Sequence, residues 1–316
     1  MEARFSAEDI LCAASGRIVK GPIDLQKGRI VWQLDELQPG DWFLALQDGV
    51  HDGHDDLRQA IASGARGCIV NRRCRYAFAD TNGVIISVSD TRSALFDLVR
   101  SWRYAVKPRV VGVSGTTGRR ATMLLMNSLL AEKFKVHLAF MSSLGSLGCL
   151  SEVLAMPEDT ELLIFEAAAV ERGDVAKVGG TLDPDLAVIT RIEHPLPSGG
   201  RERLLANMYC ELLETVETYS GNGKAVVYDR SAAVQERTDL LLSGMASVRF
   251  SQSASDSYNC VSEEQFEDLN GTLFKLTGQK LTRAELWCAI EAARSLDVTF
   301  DPASAFDGSK LLAYGV

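Results

Sequence analysis

Arg109-Val-Val-Gly-Val-Ser-Gly-Thr-Thr-Gly-Arg-Arg-Ala-Thr-Met-Leu-Leu-Met-Asn-Ser-Leu-Leu130 decides the fold of this chain. Val110 to Val113 is short, apolar and β-branched, which suits a buried parallel strand. Gly115-Thr116-Thr117-Gly118 follows as a turn. From Ala121 the apolar positions Met123, Leu124, Met126, Leu129 and Leu130 recur at helical spacing. Strand, glycine turn and helix make the layout of a P-loop, in which backbone N–H groups and a helix N-terminus cradle phosphate.

The side chains then depart from that pattern. A P-loop follows its last glycine with Lys and then Ser or Thr, the lysine for phosphate and the hydroxyl for Mg²⁺. Arg119 and Arg120 stand there instead. Arg119 keeps a positive charge, but its planar fork does not replace a compact ammonium freely. Arg120 has no lone pair for a metal and carries charge that repels one. The turn Gly115, Thr116, Thr117, Gly118 with Arg119 and Arg120 is therefore a candidate phosphate or anion site that needs no metal. In the competing arrangement the arginines fold back onto acidic neighbours and fill the pocket themselves.

Working outward, strands alternate with helices on both sides of this stretch, which implies α/β architecture with a mainly parallel sheet. Residues 1–106 read as a small α/β domain. It holds a strand over Gly40–Leu46, a polar loop with His51 and His54, a helix from near Asp55 to Ala65, strands at Cys68–Val70 and Val84–Val88, and a helix from Ser93 to Tyr104. Lys107-Pro108 is the natural break, because proline disfavours helix in the residue before it. Residues 107–300 read as the P-loop-type domain. Its strands fall at Val136–Phe140, Glu161–Glu166, Asp185–Thr190 and Gly223–Tyr228; its helices fall at Leu204–Tyr219 and Thr282–Leu296, with a weaker polar region from Arg249. Residues 301–316 form a tail.

The 316 residues are 46% hydrophobic, enough for two cores, and the net charge of −9 argues against a nucleic-acid or membrane-surface partner. No window is apolar for the roughly 18 residues of a membrane span. The N-terminus lacks a signal-peptide apolar region, and seven cysteines without a CxxC pair read as thiols of a reducing cytoplasm.

Pro39-Gly-Asp-Trp-Phe-Leu-Ala-Leu46, Asp52-Gly-His-Asp55, Ala60 to Val70, Asp90-Thr91, Val110 to Gly118, Pro184-Asp-Leu-Ala-Val-Ile-Thr190 and the Glu211 segment before Gly223 occur here in one order. In that order and spacing the chain resembles the Mur ligases, the ATP-dependent family that adds amino acids to the peptidoglycan precursor. The resemblance implies a Mg²⁺-binding glutamate at Glu166, which is retained. It places the family's P-loop lysine and hydroxyl on Arg119 and Arg120, and the Asn of its Thr-Asn-Ile signature on Arg191. Its metal-ligating histidine falls near Leu196, with His194 two residues early as a shifted ligand or a plain surface histidine. Its carbamylated lysine falls on Tyr209, its adenine and ribose contacts around Tyr228 to Ser231, and its uridine-gripping Ser-Arg on Leu34-Asp35.

The family also continues beyond the helix resembling Thr282–Leu296 into a third domain, for which Asp297–Val316 is too short. These departures lead to the expectation of a pseudo-enzyme that uses no ATP, Mg²⁺ or other metal and has no catalytic residues. Glu166 and His194 would then be vestiges of a metal region. Such a protein would bind a protein partner, or itself, through the face of the missing domain, with Met141, Leu144, Leu147 and Leu196 as apolar anchors. Two alternatives are a divergent ATP-dependent carboxylate–amine ligase completed by a third domain in trans, using ATP and Mg²⁺, and a metal-free sensor of an anionic metabolite.

Overall fold

The computed structural model describes residues 1–299 other than 24, 48–50, 75–82, 143–144, 194–198, 217–222, 230, 242–246, 251–257, 263–264, 269–272 and 276–282. Contacts divide the chain into two units, Met1–Lys107 with Val153–Asp159, and Pro108–Glu152 with Thr160 onward. The architecture is mixed α/β with mainly parallel sheets, as the alternation of strand and helix patterns implies.

The first unit carries β1 (Arg17–Lys20), β2 (Ile30–Val31), β3 (Trp42–Leu44), β4 (Gly67–Asn71) and β5 (Val84–Val88) in the order β1-β5-β4-β3-β2. Only β1 runs antiparallel to its neighbour. Its helices are α1 (Ala7–Ala13), α2 (Leu57–Ala62) and α3 (Thr91–Val106). Asp90 starts α3 by accepting the Ser93 N–H at 2.6 Å, and Lys107 ends it in the left-handed region just before Pro108. The expected strand over Gly40–Leu46 is shorter because Asp41 is used differently. Its buried carboxylate takes Arg29 Nε at 3.1 Å and the Gln38 N–H at 3.0 Å, anchoring the turn that delivers the chain to β3. The expected helix from Asp55 to Ala65 opens as a 3-10 turn over Gly53–Asp56 and stops before Gly64, whose φ of +95° breaks it. His54 donates from Nδ1 to Asp52 at 2.5 Å and accepts the Asn71 N–H at Nε2 at 2.9 Å, so it fastens the loop to β4.

The second unit is built on β6 (Arg109–Ser114), α4 (Arg119–Leu130), β7 (Val136–Ala139), α5 (Ser146–Ala155), β8 (Leu162–Ala167), α6 (Asp174–Leu182), β9 (Leu186–Ile189), α7 (Gly199–Tyr209), α8 (Glu211–Glu214), β10 (Lys224–Val227), α9 (Ala232–Leu241) and β11 (Ser247–Phe250). Its six strands lie in the order β11-β10-β9-β6-β8-β7, all parallel. The polar region expected from Arg249 contributes β11 and then an antiparallel sheet of β12 (Tyr258–Ser262), β13 (Gln265–Asp268) and β14 (Leu273–Lys275). The chain then enters α10 (Arg283–Ser295). Met123, Leu124 and Met126 of α4 share one core cluster with Leu286, Ile290 and Ala293 of α10 and with Val111 and Val113 of β6. The single helix expected over Leu204–Tyr219 is interrupted at Cys210. The Tyr209 carbonyl accepts the Ser114 hydroxyl at 2.9 Å, and Leu213 N–H reaches back only to Cys210.

Of the cysteines, Cys68, Cys149, Cys210 and Cys288 are buried, Cys74 is half-buried and Cys12 is exposed; Cys260 lies outside the described side chains. Burial pushes the thiols of Cys68 and Cys210 up to about 12, and those of Cys149 and Cys288 also upward. They stay protonated and inaccessible at neutral pH. Titration of the native protein with an aromatic disulfide reagent should therefore register Cys12 first and leave these four silent until denaturant is added. Rapid reaction of any of the four in buffer would contradict this packing.

Candidate functional site

Parallel pairing brings the site together from distant parts of the chain. β6 lies between β8 and β9, with Val113 opposite Glu166 and Ser114 opposite Ile189. Glu166 and the Thr190-Arg191 segment therefore flank the turn that leaves β6. The turn itself runs through Gly115 at φ +137° and Gly118 at φ +82°, both in the region that favours glycine. Gly118 is the N-cap of α4 and offers no side-chain oxygen, so the first-turn N–H groups have no partner within the helix.

On one side, Arg191 forms an isolated bridge with Thr117. Its carbonyl accepts the Thr116 N–H at 2.8 Å, and the Thr116 hydroxyl accepts the Glu193 N–H at 2.7 Å. The Thr190 hydroxyl lies 3.0 Å from the Ser114 carbonyl and 2.8 Å from that of Thr117, sharing its proton between them. Arg191 reaches Glu193 at 3.2 Å and the buried Glu285 of α10 at 3.4 Å. Asp229, just beyond β10, accepts the Ile192 N–H at 2.9 Å and the Ser231 N–H at 2.8 Å. The region where the resemblance places adenine and ribose contacts thus holds a carboxylate engaged with backbone.

On the other side, Glu166 is 4% exposed. Its Oε1 accepts Arg119 Nε at 2.9 Å, and its Oε2 accepts the Met141 N–H at 3.1 Å and a longer contact from Arg120 Nε at 3.4 Å. Arg119 also donates to the Gly115 carbonyl. Arg120 donates to the Met141 carbonyl at 2.6 Å and lies 5.2 Å from the centre of the Phe140 ring. Arg119 is 19% exposed and Arg120 60%, so the Arg119 pair carries most of the electrostatic stabilisation and solvent weakens the Arg120 pair.

Next to these groups is an open cavity of about 980 Å³ lined by Gly118, Arg119, Arg120, Phe140, Met141 and Glu166 among others. Val170, also on its lining, is 79% exposed.

The structure therefore brings Gly115, Thr116, Thr117, Gly118, Arg119, Arg120 and Glu166 into one neighbourhood. His194, Leu144 and Leu196 lie outside the described residues. Leu147, expected as an exposed anchor, is buried in the first turn of α5. Among the described residues, no group of three His, Cys, Asp or Glu side chains is placed to hold a metal ion, and no helix is long and apolar enough to cross a membrane. Sequence reasoning missed Glu285 and Asp229 as partners of the Arg191 segment. The charge at Arg191 was the available signal, since a half-buried guanidinium requires a carboxylate nearby.

Comparison with known proteins gives consistent results. The Mur ligase middle domain matches residues 113–268. The chain is 30% identical over 169 residues to the UDP-N-acetylmuramoyl-tripeptide–D-alanyl-D-alanine ligase of Bacillus subtilis, covering 53% of this chain and 36% of that protein. It is 29% identical over 193 residues to the same ligase of Rickettsia prowazekii, covering 61% and 41%. The matches thus span about two fifths of these relatives' length. The fold is similar to that of MurF from Acinetobacter baumannii, with a TM-score of 0.80 at 20% identity over 94% of this chain and 66% of the other. MurF from Thermotoga maritima in complex with ADP aligns with a TM-score of 0.72 at 22% identity, over 88% and 65%.

Proposed function

The chain carries a Mur ligase middle domain and is homologous to the D-alanyl-D-alanine-adding ligases of that family, and we propose that it is a catalytically degenerate member, a cytoplasmic binding or scaffolding component of a biosynthetic complex. The observation that carries this reading is the pairing of Glu166 with Arg119 and Arg120. A ligase that activates a carboxylate with ATP stabilises the transferring phosphoryl group with a metal ion and a cation on the bridging oxygen. Mg²⁺ takes oxygen ligands at roughly 2.0–2.1 Å in an octahedron. The carboxylate that would supply one ligand has its oxygens within 2.9 and 3.4 Å of guanidinium nitrogens. A cation seated there would touch like charge, so these residues do not fit a MgATP site. A protein partner is the proposed ligand class, and the exposed Val170 beside the cavity is an apolar contact of the kind an interface keeps.

The open cavity supports a second role for the same protein, binding an anionic metabolite without metal. The first-turn N–H groups of α4 and the solvent-facing donors of Arg120 favour negative charge. Calorimetric titration separates the readings. ATP should show no Mg²⁺-dependent affinity tighter than millimolar, about −4 kcal/mol. Inorganic phosphate at low salt should bind weakly and independently of chelator if the sensor role holds. A micromolar dissociation constant for MgATP, abolished by chelation, would favour an active divergent ligase and sink the degenerate one.

A further inference from the structure

We infer that Arg119 and Arg120 act as a built-in substitute for a divalent cation on Glu166, holding permanently an arrangement that a metal would hold conditionally. The inference rests on the reading above and adds what the arginines do in place of the metal.

A carboxylate as buried as Glu166 needs countercharge and donors on its lone pairs. Arg119 covers Oε1, while Arg120 and the Met141 N–H share Oε2. The pair also organises chain, as a bridging ion does. Met141 is held at both its backbone groups, its N–H by Glu166 and its carbonyl by Arg120. The Arg120 guanidinium faces the neighbouring Phe140 ring, and the Ala168 N–H meets the Met141 sulfur at 3.2 Å. Three segments, the end of β8, the start of α4 and the chain after β7, are thereby joined through one carboxylate and two fixed cations. Arg119 ties the phosphate turn to the same point through the Gly115 carbonyl. Because the cations are covalently part of the chain, this junction needs no ion from solution and should not respond to one. Without the arginines the same carboxylate would be a buried anion lacking countercharge, and a divalent cation would become its natural partner.

The test is conditional metal dependence, read by thermal unfolding of the full chain. The wild type should melt at the same temperature in chelator and in excess Mn²⁺. The double variant Arg119→Gln/Arg120→Thr, which removes both cations and leaves a hydroxyl beside Glu166, should melt roughly 5–10 °C lower in chelator. It should regain at least half of that loss in Mn²⁺, and adding Glu166→Gln should abolish the recovery. If the double variant fails to accumulate, Arg120→Thr alone is measured in the same way, with a smaller loss and the same Glu166-dependent recovery expected. A folded variant indifferent to Mn²⁺ overturns the inference. So does Mn²⁺ binding by the wild type that Glu166→Gln removes, read by the paramagnetic resonance of the ion. Absence of recovery in a protein that still ignores MgATP overturns this inference alone, whereas MgATP affinity in the wild type overturns the functional reading and this one with it.

Discussion

Gly115→Ala is expected to destabilise the second unit by about 3 kcal/mol, lowering its melting temperature by roughly 6–12 °C. Two independent costs add at this residue. A methyl group there would sit 2.2 Å from the Thr190 hydroxyl and 2.9 Å from the Arg191 carbonyl, inside any real contact distance. The backbone is also held at φ +137°, where an L side chain is strained regardless of space. Neither neighbour can yield cheaply, because Thr190 spans the Ser114 and Thr117 carbonyls and the Arg191 carbonyl receives the Thr116 N–H. Gly145→Ala is the control. Its φ of +61° is also left-handed, but nothing lies within 4 Å of the added carbon, so only about 1 kcal/mol should be lost. Equal melting temperatures for the two variants would mean that the turn is looser than its contacts imply.

The same turn shows what a single sequence can reveal. The strand–glycine–helix layout around Val110–Leu130 was legible because its signals are local: β-branched run, positive-φ glycines, apolar residues at helical period. The site role of Glu166 came only from the resemblance to the Mur ligases. Its place beside the turn rests on the pairing of β8 with β6, which strand alternation alone does not give because β7 lies between them in sequence. The alternative in which the arginines turn onto acidic neighbours and fill the pocket was also legible; Arg119 and Arg120 do contact Glu166, but the cavity they line stays open. Choosing it was not possible from sequence, because the choice depends on where the Met141 backbone sits. Glu285 was illegible for a different reason. It approaches Gly118 and Arg191 only because α10 packs on α4 through a shared core, and nothing local to Glu285 distinguishes it from the surface glutamates of an amphipathic helix. Several element ends were read within a few residues, but α7 begins at Gly199 rather than Leu204, and α5 begins inside a stretch read as a loop. Ser114, by taking the Tyr209 carbonyl, interrupts the helix read there as single.

Arg191→Asn, which puts back the neutral amide that the Mur-ligase pattern carries, should weaken this chain rather than repair it. Arg191 is the cation beside Glu285, a carboxylate with 7% side-chain exposure, and the pair is separated by 3.4 Å. Removing one partner of a buried pair leaves the other charged and poorly solvated, a loss of roughly 3–5 kcal/mol where burial is complete. The guanidinium here is 28% exposed and the contact long, so a loss of about 2–3 kcal/mol is expected. Glu285→Gln should cost less, because the partly exposed Arg191 keeps Glu193 at 3.2 Å as a second carboxylate. Combining the two substitutions should recover part of the Arg191→Asn loss, giving a coupling of at least about 1 kcal/mol in a double-mutant cycle measured by denaturant unfolding. Additive losses would show that Arg191 is held by its backbone bonds to Thr116 and Thr117 and not by charge. A coupled pair would mean that arginine at this position and the carboxylate of α10 depend on each other, so that one substitution toward the ligase pattern cannot restore the site.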